Sequence, residues 1–441
     1  MPLRTWVGRL LPPTNLNAKT QVIGQRGYGP GRGGSKHQRL VYNPDNQRVY
    51  FYSGDFSQPP FQSSFHTDMF SYDITRSKPD ASDYQNWILE WPYCGLSGQI
   101  SPVATDEAPF AWDTKRHVFW ITGGFEVSSQ NVVNMCNGAI FYGASAVSSS
   151  NPAGNAAHGG DLLQFDPARN RYIRPDSKYQ LPSNALAQDR TPLLGGAQTP
   201  RHSVYNPVTD EIIMMGQHGS WGNFVIRMNV ATGTWTRDGG GIGGNVATDA
   251  IDGSYINDAM ATHEQLALDV DNEWIYWIDT YHKNDPDPNH RFRLMRYDIK
   301  RHNMITLGWI KIPNFGDPLK FPFYMPPFDS TMLAYDPINK VLLWPASSNE
   351  GRPILMVYHP DPAGKKNGTW EVDPMNRDKP NEIIFGSNGT FIPQLNVLII
   401  FGGFGTPNSD FLASACPKDC NAPMNYFWLY RYGNGSADRS K

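Results

Sequence analysis

One pattern recurs six times along the chain and constrains it more than any other feature. A short apolar strand is followed by a tight turn opened in most copies by Asn or Asp, often with Pro next. A second apolar strand comes after it. The copies read Leu40-Val-Tyr-Asn-Pro44 with Arg48-Val-Tyr-Phe-Tyr52, Phe110-Ala-Trp-Asp113 with His117-Val-Phe-Trp-Ile121, and His202-Ser-Val-Tyr-Asn-Pro207 with Glu211-Ile-Ile-Met-Met215. Then follow Gln265-Leu-Ala-Leu-Asp269 with Glu273-Trp-Ile-Tyr-Trp277, Met332-Leu-Ala-Tyr-Asp-Pro337 with Lys340-Val-Leu-Leu-Trp344, and Gly389-Thr-Phe-Ile-Pro393 with Asn396-Val-Leu-Ile-Ile-Phe401. The turn anchors sit at 43, 113, 206, 269, 336 and 393, so the repeat is uneven and its extra length belongs to loops. A lone strand pair is marginal in water, so such units must stack on one another.

Each pair is followed by a third strand in which an aromatic residue often precedes an acidic one, as in Tyr72-Asp73, Phe165-Asp166 and Tyr297-Asp298. A fourth strand carries Trp or Tyr, as in Trp87 to Trp91, Tyr172, Thr234-Trp235, Met304 to Trp309 and Thr369-Trp370. Four short strands per repeat is the pattern of a β-propeller blade. Composition agrees. With 41 Gly and 36 Pro in 441 residues, long helices are excluded, and 22 Phe, 21 Tyr and 13 Trp exclude disorder.

The expected fold is therefore all-β: a six-bladed β-propeller of four-stranded blades, forming one domain over residues 1–441. The blades are expected at about 37–94, 107–176, 200–238, 263–312, 329–374 and 387–433. The chain runs out after the third strand of the sixth copy, and the missing fourth strand lies at the other terminus, around 3–9. There Thr5-Trp6 matches Thr234-Trp235 and Thr369-Trp370. The N-terminal strand is expected to close the ring and remove a free sheet edge.

The order apolar strand, Gly-Gly, Tyr-Asp, loop, Thr-Trp resembles the kelch repeat over nearly the whole chain. The better copies are Gly123-Gly124, Tyr72-Asp73, Thr234-Trp235, and Gly402-Gly403 with Thr5-Trp6, while the fourth and fifth copies lack the Gly pair. The resemblance implies that second-to-third-strand and blade-to-blade connections share one face. Those connections are long: 55–67, 125–161, 175–200, 239–262, 281–290, 311–328 and 404–424. The opposite connections are short apart from 77–86 and 360–368. Long loops in compact domains carry function, which marks the first face as the working one.

The resemblance also places the first strand of each blade along a central channel. His37 and His263 lie six residues before the anchors 43 and 269, and Glu107 lies six before 113. With His202, Glu264 and Asp329 nearby, these residues are candidates for the channel mouth. Two His and two carboxylates can hold a metal; the same groups equally hydrogen-bond neighbouring blades or water. Galactose oxidase is a kelch-like enzyme of this architecture, but likeness to it would require a Tyr–Cys crosslink and Tyr and His copper ligands. Tyr281-His282 and Tyr358-His359 are the Tyr-His pairs here, and neither supplies that set.

Other motifs are weaker. The stretch 27–34 is Gly-rich but holds Pro30, which spoils a phosphate loop. The stretch 285–290 is acidic without the Gly and Glu of a calcium loop. Asn367, Asn388 and Asn434 open glycosylation sequons. Cys416 and Cys420 can form a local disulfide or remain two thiols, and the same holds for Cys94 with Cys136. The net charge of −3 shows no basic excess, so no sequence-specific nucleic-acid partner is expected. No apolar run has membrane-spanning length, and the first residues have too short an apolar core for a signal peptide, so either export does not use one or a leader was removed.

These readings favour a non-enzymatic structural or interaction propeller with no cofactor. Its partners would be proteins of a larger assembly or cell-surface glycans. A bacteriophage virion component, of the tail or surface, would fit, and the expected location is virion or extracellular. The alternative is a secreted carbohydrate-binding protein or a galactose-oxidase-like enzyme working at the channel mouth.

Overall fold

The structure is a computed structural model. It describes residues 5–10, 39–52, 55–56, 64–65, 69–75, 87–91, 99–101, 105–106, 109–121, 125–126, 140–141, 162–179, 202–215, 224–239, 245–254, 256, 265–279, 290, 292–311, 332–347, 353–373, 388–401 and 427–433. Six antiparallel sheets contain the repeats in order. Blade I holds Arg39–Asn43, Arg48–Tyr52, Met69–Asp73 and Trp87–Trp91. Blade II holds Phe110–Asp113, Val118–Ile121, Leu163–Asp166 and Arg171–Ile173. Blade III holds His202–Asn206, Glu211–Met215, Phe224–Asn229 and Thr234–Gly239. Blade IV holds Ala267–Asp269, Trp274–Asp279, Arg293–Asp298 and Asn303–Trp309. Blade V holds Ala334–Asp336, Val341–Ser347, Pro353–His359 and Thr369–Asp373. Blade VI holds Asn388–Ile392, Val397–Phe401 and Phe427–Arg431.

The fourth strand of blade VI is Thr5–Leu10, which pairs antiparallel with Phe427–Arg431, Thr5 opposite Arg431 and Trp6 opposite Tyr430. The first strands touch their neighbours in cyclic order from I through VI and back to I. They are thus the innermost strands. The fold is a six-bladed β-propeller closed by its N-terminal strand.

The first hairpins share one register. Asn43 pairs with Arg48, Asp113 with Val118, Asn206 with Glu211, Asp269 with Trp274, Asp336 with Val341 and Ile392 with Val397. The fourth residue after each of these anchors is left-handed: Gln47, His117, Asp210, Glu273, Lys340 and Asn396 have φ between 50° and 57°. A non-glycine residue reaches this region at a cost of roughly 1–2 kcal/mol. The anchor side chain offsets it by capping the turn. Asp336 Oδ1 accepts from the backbone N–H of Ile338 at 2.9 Å and of Asn339 at 3.0 Å, and Asp113 Oδ1 accepts from Lys115 at 2.9 Å and Arg116 at 3.0 Å. Asp166 and Asp298 cap third-to-fourth-strand turns the same way.

Blade VI corrects the sequence register by one residue. Its anchor position is Ile392, not Pro393, and Pro393 takes the place of Pro44, Pro207 and Pro337. Ile392 has no capping side chain, and the 3-10 turn Pro393–Leu395 supplies the bend instead.

The core consists of six clusters, each shared by two adjacent blades. The cluster between VI and I joins Ile392, Ile399 and Phe401 to Leu40, Phe51 and Phe70, so the ring closes in its packing as well as its hydrogen bonds. Aromatic rings do much of the filling: Tyr50 and Phe119 lie 4.6 Å apart between blades I and II, and Phe292 and Trp344 5.3 Å apart between IV and V. Trp91, Trp120, Trp277 and Trp344 are fully buried. Among the described residues no helix is long and apolar enough to cross a membrane.

Two connections depart from a simple disc. Asn245–Asp249, inside the 239–262 connection, adds a fifth, parallel strand outside blade IV. That segment therefore reaches the short-turn side rather than staying with the other long connections. There the 360–368 turn of blade V straps it down. Lys366 Nζ lies 2.8 Å from Asp249 Oδ2 and 2.5 Å from Asp252 Oδ2. The carbonyl of Gly364 accepts from Arg296 Nη2 at 2.6 Å, and Gly364 (φ +71) lies so close to Trp274 that a Cβ would sit 3.0 Å from its ring.

Candidate functional site

The innermost strands enclose a channel cavity of about 380 Å³, lined from blades I, II, III, IV and VI. Its wall is largely apolar and aromatic, with Tyr42, Phe110, Trp112, Tyr205, Leu268 and Phe391 prominent. Burial pushes the Tyr42 phenol up to about 12, so it stays protonated at any physiological pH.

One end of the channel is crossed by two hydrogen-bonded bridges. Arg39 Nη2 lies 3.2 Å from His202 Nε2, joining blades I and III past blade II. Arg39 is 5% exposed and His202 3%. Gln265 Nε2 donates to the Gly389 carbonyl at 2.5 Å, and Gly389 N–H donates back to Gln265 Oε1 at 3.4 Å, joining blades IV and VI past blade V. Gly389 has no room for a side chain, since a Cβ would meet Met332 Sδ at 2.3 Å and the Ile399 carbonyl at 2.5 Å. These bridges fix the width of the ring as well as closing its end.

Of the channel-mouth candidates, the structure places His202 at this end, buried and bonded to Arg39. His37, Glu107, His263, Glu264 and Asp329 lie outside the described residues, as do Cys94, Cys136, Cys416 and Cys420. Thr5 and Trp6 lie in the closing strand. Among the described residues no group of three His, Cys, Asp or Glu is arranged to hold a metal ion. Arg39 and Gln265 were not anticipated. A signal existed: Arg39, His202 and Gln265 each lie four residues before a turn anchor, and Asn388 shares that row. A search at four residues rather than six finds all of them. Asn388 is also 5% exposed within its strand, which removes it as a glycosylation site, whereas Asn367 is exposed on the 360–368 turn.

The bridged end is where the first strands begin, and thus where the blade-to-blade connections arrive. The backbone there ties the two long classes of connection together. Phe125–Glu126, from the second-to-third connection of blade II, pairs with Thr105–Asp106 from the I-to-II connection, and Ile140–Phe141 pairs parallel with Ile100–Ser101. Within blade I, Asp55–Phe56 pairs with Ser64–Phe65.

The other titratable clusters belong to the scaffold. Between blades III and IV, Arg227 Nη1 donates to Glu211 at 3.0 and 3.2 Å, and its Nε lies 3.0 Å from Asp238 Oδ2. The buried Tyr297 hydroxyl also donates to Asp238. His359 of the Tyr358-His359 pair bonds Glu371 at 2.9 Å beside Tyr432, on the outer strands of blade V and far from the channel.

No protein-family model matches the chain, and no curated protein matches it in sequence. Among solved structures it is similar to YjhT, at 12% identity and a TM-score of 0.43, over 85% of this chain and 92% of that one. It is also similar to TolB from Acinetobacter baumannii, at 11% identity and a TM-score of 0.36, over 77% of this chain and 56% of that one.

Proposed function

We propose that the chain is a non-enzymatic, kelch-like interaction propeller that presents the long connections of one face to partners. One observation carries the reading. The described strand ends send the connections 55–67, 125–161, 175–200, 281–290, 311–328 and 404–424 to one end of the ring, and the charged clusters described within the ring serve as turn caps, cross-channel bridges and ion pairs. Six tightly packed blade interfaces make that ring a stiff platform, on which Ser-, Asn-, Gly- and aromatic-rich loops offer adaptable polar contacts and stacking surfaces. The partners are proteins of a larger assembly, and a bacteriophage tail or surface is the setting proposed, with a virion or extracellular location. A second reading has the cavity itself in its favour: an aromatic-walled channel suits a secreted carbohydrate-binding protein.

Cross-linking mass spectrometry of the particle that contains the protein tests the first reading. Lys283, Lys320 and Lys418 lie on the long connections and are expected to link to other proteins. Release of the chain as a monomer, with no such links, would overturn it. A glycan array tests the second reading, which fails if no sugar binds.

A further inference from the structure

The turns after the innermost strands ring the other end of the channel, and Pro44, Thr114, Val270 and Pro393 border its cavity. Tight turns favour Asp, Asn, Ser, Gly and Pro at their tips. Four of these six instead expose an apolar side chain: Val208 is 58% exposed, Val270 38%, Ile338 45% and Leu395 38%. They belong to four consecutive blades, III to VI. A single exposed Val or Leu is ordinary, but four neighbours around one opening form a patch of the kind that marks an interface.

The exposed charges on the same ring are also ordered. Blade I carries Asp45, blade II Lys115, blade IV Asp271 and blade V Lys340, with side chains 43%, 48%, 66% and 67% exposed. Within one copy Asp45 lies 2.5 Å from His117 Nδ1, Lys115 4.0 Å from Asp210 and Lys340 3.7 Å from Asp271, pairs that leave these four side chains open to solvent. Read around the ring, the six turns are acidic, basic, apolar, acidic with Val270, basic with Ile338, and apolar.

We infer that this ring binds a second copy of the chain, face to face, about a two-fold axis at right angles to the channel. Two discs turned face to face run in opposite senses, so the pairing of one blade fixes all the others. When I opposes II, then III opposes VI and IV opposes V. Asp45 of each copy then faces Lys115 of the other, Asp271 faces Lys340, Val208 faces Leu395, and Val270 faces Ile338. This is the self-complementarity that a two-fold interface requires. Of the five other registers, one keeps the charges matched but sets Val270 and Ile338 against the polar turns of blades II and I. The remaining four bring like charges together. Apolar contact supplies the attraction, and the charges select the register. The dimer turns both long-connection faces outward, giving two identical binding faces and the avidity that comes with them.

Sedimentation velocity from about 1 to 100 µM, the range of a modest interface, tests this on the full chain. A monomer–dimer equilibrium is expected. Val208→Asp alone and Leu395→Lys alone should each weaken it by about tenfold or more, because each sets a charge against an apolar tip. Val208→Asp combined with Leu395→Lys should recover most of the loss, because the register pairs position 208 with position 395 across the axis. Asp45→Lys and Lys115→Asp, singly and together, form a second such set, because these two residues pair with His117 and Asp210 rather than with each other within one copy. Circular dichroism checks that these surface variants keep the wild-type fold. A wild-type monomer at the highest concentration, single variants that dimerise normally, or double variants no better than the singles would each overturn the inference.

Discussion

Asp113 offers a direct measure of what a turn anchor contributes. It is fully buried and accepts four hydrogen bonds: from Lys115 N at 2.9 Å, Arg116 N at 3.0 Å, Arg116 Nη1 at 3.0 Å and the Trp120 indole Nε1 at 3.0 Å. Asp113→Ala removes all four and leaves the indole N–H and two turn amides without an acceptor. At about 1 kcal/mol per bond, more where the carboxylate charge takes part, the loss is roughly 4–5 kcal/mol. Arg116 stays anchored by Asp210 at 2.7 and 2.8 Å, so blades II and III should remain joined. Asp113→Asn is the informative partner. Its carbonyl can still cap the turn, as Asn43 and Asn206 do in blades I and III, where each accepts from one turn amide, that of Asp45 and that of Val208. Its amide nitrogen, however, meets the Trp120 indole donor, for which blades I and III have Tyr50 and Ile213 at the same register. A loss of about 2 kcal/mol is expected, half or less of that for Ala. Urea denaturation followed by Trp fluorescence, with ΔΔG taken from the shift in midpoint, reads both. Equal losses for the two variants, or a loss under about 1 kcal/mol for Ala, would refute the capping account.

Two further outcomes are expected. Deleting residues 1–10 strips the outer strand from blade VI and exposes the edge of Phe427–Arg431, so a melting temperature lower by several degrees and a greater tendency to aggregate should appear in a thermal scan with light scattering. Asp210 is held down to about 2, chiefly by its hydrogen bonds from Arg116 and then by that from Tyr205. A depressed carboxylate contributes stability above its ordinary value near about 4 and loses it as pH falls from there to about 2. Asp210→Asn should flatten that acid limb in a pH series of melting temperatures, and an unchanged limb would count against the ion pair.

Much of the fold was legible because a β-propeller writes its period into the chain. The strand pairs, their Asn or Asp anchors and the Thr-Trp of the terminal strand each reflect a local rule: alternating burial, turn capping, and a free edge that needs a partner. The blade count and ring closure follow from them. The one-residue slip at blade VI came from reading Pro393 as the anchor. Ile392 lacks the polar side chain that marks the position elsewhere, so only strand pairing reveals it. The fifth strand at Asn245–Asp249 was hidden because it is added in parallel from a loop, with no hairpin to announce it.

Local sequence thus determined the unit and its number, because turns and strand alternation depend on neighbours within a few residues. What crosses the ring depended on the tertiary structure alone. Arg39 and His202 are 163 positions apart and Gln265 and Gly389 are 124 apart, and nothing along the chain pairs them. Likewise Val208, Val270, Ile338 and Leu395 are unremarkable one at a time. They become a patch because closing the ring sets their turns side by side around one opening.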